Sequence, residues 1–270
     1  MKTNIAFENE MIIVNEAWIP QNYINWKIAS KVVIDTIKLI VPEIIEKWWI
    51  DQELDACQIE IRNIWPKESL EEAQNELVNF FGITNKILKN EFWLQFSENV
   101  VPNQNFEPIH SDKIDRYAEI HDALSWVWIE YRKATNIAWL HLNMDSTLED
   151  HLLLCRWVHA YFIKNLLQRV WMWADRFQFY KKTIEGINAS LNKNIKVIPY
   201  NFRDLNEMKI WLLDANGEPF FDYNLLRLKK IKNQYISELR TFDWWLNEQD
   251  LINKTSESYQ LITDIKEQFI

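Results

Sequence analysis

Histidine is the side chain best suited to metal ligation or proton transfer near neutral pH. All five histidines of this chain, His110, His121, His141, His151 and His159, fall within 50 residues, and Cys155 lies among them. On one helix His151, Cys155 and His159 would stand at i, i+4 and i+8, each step turning about 40°, so neighbours in the series can share an ion. The outer pair cannot, being about 12 Å apart along the axis. One zinc ion could therefore take His151 with Cys155, or Cys155 with His159, and its other ligands must come from elsewhere. If the segments flanking 142–145 form antiparallel helices, His141 comes level with Thr147 to His151, and Glu130 level with His159, completing or orienting the site. The competing reading places His121 and His159 in apolar stripes as hydrogen-bonded core residues and makes Cys155 a small buried hydrophobe.

A second constellation is Arg116-Tyr117-Ala118-Glu119-Ile120-His121, an arginine and a histidine five positions apart. It resembles the Arg-x4-6-His motif of the HEPN superfamily, small helical domains of prokaryotic defence and toxin systems whose active members cut RNA. The resemblance implies a helical fold in which His121 acts as acid or base toward a ribose hydroxyl and Arg116 holds the phosphate.

Other chemistry is poorly supplied. Asp145, Glu149 and Asp150 beside Ser146-Thr147 read as helix-start residues, because acids in a first turn are favoured by the helix dipole. A Gly-x-Ser-x-Gly elbow is missing, and Cys155 in an apolar stripe makes a poor nucleophile. With 3 Gly in 270 residues the chain cannot build the glycine-rich phosphate loops of Rossmann or P-loop proteins. The formal charge of −9 repels duplex DNA, and Arg227, Lys229, Lys230 and Lys232 read as the wet face of an amphipathic helix. Two distant cysteines, Cys57 and Cys155, and an N-terminus without a long apolar run point to the reducing cytoplasm. No stretch approaches the ~18 apolar residues of a membrane span.

These residues need elements to position them, and helical spacing dominates the reading. Leu148, Leu152, Cys155, His159, Phe162, Leu166, Val170, Trp173, Phe177, Tyr180 and Ile184 recur every three or four positions, which predicts a helix about 60 Å long ending at Gly186. Ser146-Thr147-Leu148-Glu149 is a capping box at its start. Before it, Ile114 to Tyr131 predict a second helix, capped by Ser111 and continuing toward His141, with Leu142 to Asp145 as the turn. A two-helix stretch from Asn22 to Ile50 is broken at Pro42, and Ser69-Leu70-Glu71-Glu72 caps another helix that Gly82 stops near Phe81. Residues 97–110 read as a linker. Strand signals are few: Met11 to Val14 as a strand or arm, the alternating Cys57 to Arg62, residues 195–198, and a tight turn at Asn216-Gly217. A final helical run carries Leu225, Leu226, Leu228, Ile231, Tyr235, Ile236 and Leu239 on one side.

The expectation is a mainly α bundle around a long central helical hairpin, with one or two minor β elements. The alternative is an α+β fold with a small sheet from residues near 11, 57, 195 and 217. The chain is expected to form one domain over 1–270, divisible into 1–105, 106–190 and 191–270. With 15 Trp, among them the doublets Trp48-Trp49 and Trp244-Trp245, the leading functional reading is a cytoplasmic, Trp-anchored helical interaction module. The alternatives are the HEPN-like ribonuclease using Arg116 and His121, and a metal or apolar-cofactor protein using the His110–His159 cluster. No cofactor is specified and none is expected. Partners are another protein or a second copy, RNA only under the HEPN resemblance, and neither a membrane nor duplex DNA.

Overall fold

Period-two alternation, not helical spacing, organises the segments 5–14, 58–63 and 139–146. A computed structural model describes residues 4–43, 48–53, 55–63, 66–97, 109–111, 139–161, 200–220, 226–243 and 248–269. Strand β1 (Ile5–Val14) sends Ile5, Phe7, Met11 and Ile13 to one face and Glu8, Glu10, Ile12 and Val14 to the other. It pairs antiparallel on one side with β5 (Gln58–Asn63) and on the other with β7 (Trp139–Ser146), which makes it central to the sheet. With β4 (Trp48–Gln52), β8 (Leu226–Ile231) and β9 (Gln234–Asp243) the order is β4-β5-β1-β7-β9-β8, every pairing antiparallel. The short β6 (Gln95–Phe96) joins the end of β1, and β2 (Tyr23–Ile24) and β3 (Lys27–Ile28) form a separate small ladder. The large sheet is curled into a half-barrel.

Helices cover the outer, convex face. Among the described residues they are α1 (Ala29–Ile40), α2 (Leu70–Ile87), α3 (Leu148–Tyr161), α4 (Leu205–Leu212) and α5 (Glu248–Phe269). Helix α2 lies on β1 and β5, α5 on β7 and β9, and α3 on β7 and β8. Together they bury Phe7, Ile59, Ile61, Leu77, Phe80, Leu140, Leu142, Val158 and Leu239 in one core. Ser69 caps α2 by accepting from the Glu72 amide at 3.2 Å. At α3 the reciprocal cap is Thr147 with Asp150, one residue beyond the box expected at Ser146: the Asp150 amide donates to Thr147 Oγ1 at 3.0 Å and the Thr147 amide to Asp150 Oδ2 at 3.1 Å.

The fold is therefore mixed, and the expected mainly α bundle with its central helical hairpin is corrected by the sheet. Leu140-His141-Leu142-Asn143-Met144-Asp145 is strand β7, not a helix end and turn, because its apolar residues alternate strictly and pair with β1 and β9. The predicted run from Leu226 to Leu239 is the β8–β9 hairpin, turning at Lys232-Asn233 with Lys232 at φ 57°. Trp48-Trp49 open strand β4, where the sequence predicts the end of a helix. Gly82 sits inside α2 rather than ending it, and Gly217 takes positive φ, 75°, in the turn between Leu213 and Pro219. Of the runner-up sheet, the segments near 11 and 57 pair directly, Met11 opposite Ile59. The segment near 195, most of the predicted 111–141 helix, Trp244-Trp245 and the continuation of α3 past Tyr161 lie outside the described residues. No helix among the described residues is long and apolar enough to cross a membrane.

Candidate functional site

The concave face of the sheet carries charge where its convex face carries core. Alternation puts Glu8 and Glu10 of β1 on that face, and the register sets Glu8 opposite both Arg62 of β5 and His141 of β7, and Glu10 opposite Glu60. Strand β9 adds Glu238 and Arg240, and β8 adds Lys229. Most are withdrawn from water: Glu8 is 6%, Glu60 8%, His141 3% and Glu238 0% exposed. Farther along β1 the same face turns apolar at Ile12, Val14 and Cys57, with Trp18 packed on them.

The charges are closely matched. Lys229 Nζ lies 3.0 Å from both oxygens of Glu8 and also contacts Glu238 Oε2, while Arg240 contacts Glu238 Oε1. Arg62 Nη1 stands 3.2 Å from Glu60 Oε1 and 3.5 Å from Glu8 Oε1. Burial would raise the Glu8 carboxyl, but Lys229, the His141 hydrogen bond and Arg62 outweigh it and hold the group well below the carboxylate range. Glu60 behaves oppositely: burial and the neighbouring Glu8 push it up to about 7. Glu10 is raised well above its ordinary value by burial and by Glu53 and Glu60. Burial lowers His141 to about 4, so its ring is neutral at pH 7 despite the Glu8 bond.

The neutral ring is oriented by that bond. Glu8 is ionised and can only accept, so His141 Nδ1, 3.3 Å from Glu8 Oε2, carries the hydrogen. Nε2 is then a lone-pair nitrogen, directed to the side where Glu10 Oε1 stands at 3.8 Å. Two three-ligand groups result, Glu8–His141–Glu238 and Glu10–Glu60–His141, each with ligand atoms within 4.8 Å of one another. Hard oxygen donors with one imidazole suit Mg²⁺ or Mn²⁺.

The residues singled out from sequence are scattered. Among the described ones, His141 alone joins this face. His151 is fully buried on α3 against the convex side, its Nδ1 2.8 Å from Ser237 Oγ, and burial lowers it to about 3. Cys155 is buried in the helix-covered core and His159 is half-buried on the same helix, so the sheet separates all three from His141. His110 is exposed where it bridges Asp55. Arg116 and His121 lie outside the described residues. Sequence reasoning missed Glu8, Glu10, Glu60, Glu238, Lys229 and Arg240; the available signal was alternation of acid with apolar residue in Gln58-Ile59-Glu60-Ile61-Arg62.

No protein-family model and no curated protein matches this chain. Solved structures do. A glutamate–cysteine ligase from Francisella tularensis, in complex with AMP, superposes with TM-score 0.50 at 12% identity, covering 90% of this chain and 61% of that one. A bifunctional glutathione synthetase from Pasteurella multocida reaches 0.48 at 11% identity over 89% of this chain and 35% of that one. This chain thus spans about three-fifths of the Francisella ligase's length, and the likeness is one of fold. The curled sheet overturns the expectation of a helical interaction module and of an all-helical HEPN-like domain, and among the described residues His110, His141, His151 and His159 do not come together.

Proposed function

We propose that this chain carries the catalytic face of a nucleotide-dependent ligase that joins a carboxylate to an amine. The carrying observation is the buried set Glu8, Glu60, His141 and Glu238 with half-buried Glu10, interleaved with Arg62, Lys229 and Arg240, on the concave face of a sheet folded like that of a glutamate–cysteine ligase.

Such a reaction must turn a carboxylate oxygen into a leaving group. Transfer of the terminal phosphoryl group of a nucleoside triphosphate to the carboxylate gives an acyl phosphate; attack by the amine nitrogen forms the amide bond and expels phosphate. A divalent cation held by Glu10, Glu60 and His141 would supply positive charge against the polyphosphate. The protein's own part is positioning and exclusion of water. Arg62 and Arg240 present guanidinium groups suited to the planar oxygens of a carboxylate or phosphate. Neutral His141 serves as a ligand rather than an acid. The apolar end at Ile12, Val14, Cys57 and Trp18 keeps water from the activated carboxylate. The reduced, buried Cys57 and Cys155 accord with work in a reducing compartment, the cytoplasm.

The test incubates the chain with ATP, Mg²⁺ and paired panels of amino acids with carboxylate and amine groups, following ADP and phosphate release and product mass. The expected outcome is turnover requiring both an acid and an amine, with a product weighing their sum less one water, abolished in Glu60→Gln. Absence of any adenine-nucleotide binding to the folded chain refutes the reading.

A further inference from the structure

We infer that the Lys229 ammonium takes the place of a divalent cation at Glu8 and Glu238, so that this chain holds a single divalent ion, at Glu10, Glu60 and His141 Nε2. The inference rests on the metal-holding part of the function proposed above and narrows it.

The two candidate groups meet at one imidazole and differ in what already neutralises them. At Glu8 and Glu238 a cation is in place: Lys229 Nζ is 3.0 Å from both Glu8 oxygens and contacts Glu238 Oε2. Its side chain is only 16% exposed, which keeps that ammonium out of water and fixed between the two carboxylates. A divalent ion set among the same oxygens would stand beside it with twice the repulsion of a unit charge, in surroundings that screen poorly. His141 offers nothing there either, because Nδ1 spends its hydrogen on Glu8 and has no lone pair for a metal.

The opposite holds at Glu10 and Glu60. The ladder sets these two carboxyls directly across from each other, so that with both ionised the pairing is unfavourable unless a cation intervenes. Among the described residues no ammonium is hydrogen-bonded to either; Arg62 reaches Glu60 from the side of Glu8. His141 Nε2 faces Glu10 with its lone pair. The chain Lys229–Glu8–His141 then works as an outer support: the ammonium fixes the carboxylate, the carboxylate fixes the ring, and the ring presents Nε2 to the metal. Lys229 is a positioning residue in this scheme as well as a substitute ion.

The full chain, stripped with a chelator, is titrated with Mn²⁺, and bound metal is counted by equilibrium dialysis with elemental analysis. One equivalent is expected in the wild type, lost in Glu60→Gln and retained in Glu238→Gln. Lys229→Met is expected to bind two, the second lost again in the Lys229→Met, Glu238→Gln double variant. Two equivalents in the wild type, loss of the single ion in Glu238→Gln, or one equivalent in folded Lys229→Met would each overturn the inference while leaving the metal-holding reading standing. No bound Mn²⁺ in the wild type overturns both. Should Lys229→Met fail to fold, the wild-type count and the Glu238→Gln variant decide.

Discussion

Lys229 and Glu8 form an ion pair with Nζ 3.0 Å from both carboxylate oxygens, although strands β7 and β9 lie between the strands that carry them. Side chains standing upright on a flat sheet three ladder steps apart would be about 14 Å from each other. Their meeting is the signature of a tightly curled sheet, and it tells which face is concave. Curling gathers charges from β1, β5, β7, β8 and β9 into one volume, and the helices on the convex side hold the curl.

Removing the ammonium leaves two buried carboxylates short of a partner. Lys229→Met should lower stability at pH 7 by about 3–5 kcal/mol, measured by urea denaturation. Glu8 has a folded value below its unfolded 4.5, so its contribution is present above 4.5 and lost as pH falls through the folded value. The deficit of the variant should therefore shrink in acid. An equal deficit at pH 7 and pH 3 would mean that packing, not charge, is what Lys229 supplies.

His151 sets a separate acid limit. The unfolded imidazole takes up a proton near 6.5, whereas burial delays this in the folded state to about 3. Across that window the unfolded chain binds more protons, so stability is fully present above 6.5 and declines as pH falls toward 3. His151→Gln removes the titrating group, and its urea midpoint should fall less steeply between pH 6.5 and 4 than that of the wild type. Parallel curves would count against a buried neutral His151.

Metal affinity should climb with pH. Glu60, raised to about 7, and Glu10, raised as well, must release protons before they can ligate. Mn²⁺ binding by the wild type is expected to tighten by roughly tenfold per pH unit below 7 for each proton displaced. A pH-independent affinity between 6 and 8 would place the ion elsewhere.

Burial ranks the core against the tryptophans. Leu142, 0% exposed beneath the helices, should cost about 2–5 kcal/mol on change to Ala. Trp26, 97% exposed and held at φ 67°, should change stability by less than about 0.5 kcal/mol on change to Ser. Thermal melting of the two variants separates these outcomes.

A cap variant tests the start of α3. Thr147→Ala should cost about 1 kcal/mol, because Thr147 Oγ1 accepts the Asp150 amide. No loss would return the cap to Ser146.

Local physics was legible in the sequence. The hydroxyl of Ser69 and the carboxylate three residues later announce a helix start, and alternation from Gln58 to Arg62 announces a strand, because both rest on neighbours a few positions away. The same local view misread Leu226 to Leu239. Its apolar residues fit spacings of three and four closely enough to mimic one helix face, and lysines meant for the concave face look like a solvated one. Leu140 to Asp145 was mistaken for a helix end because the segment before it is rich in helical spacing. His141 reads from sequence as a residue capable of ligation with partners on its own stretch of chain, whereas the sheet sets it beside Glu8 and Glu10 of β1.

What the sequence by itself determined is the set of chemical types and the local periods: carboxylates, a few cations and one imidazole placed between apolar residues, and too little glycine for phosphate loops. What only the tertiary structure decided is which of them meet. Glu8 stands 133 residues from His141 and 221 from Lys229 along the chain. No period or spacing encodes such a pairing. It arises when antiparallel register and the curl of the sheet bring distant strands together, and when burial removes the water that would otherwise screen each charge from the next.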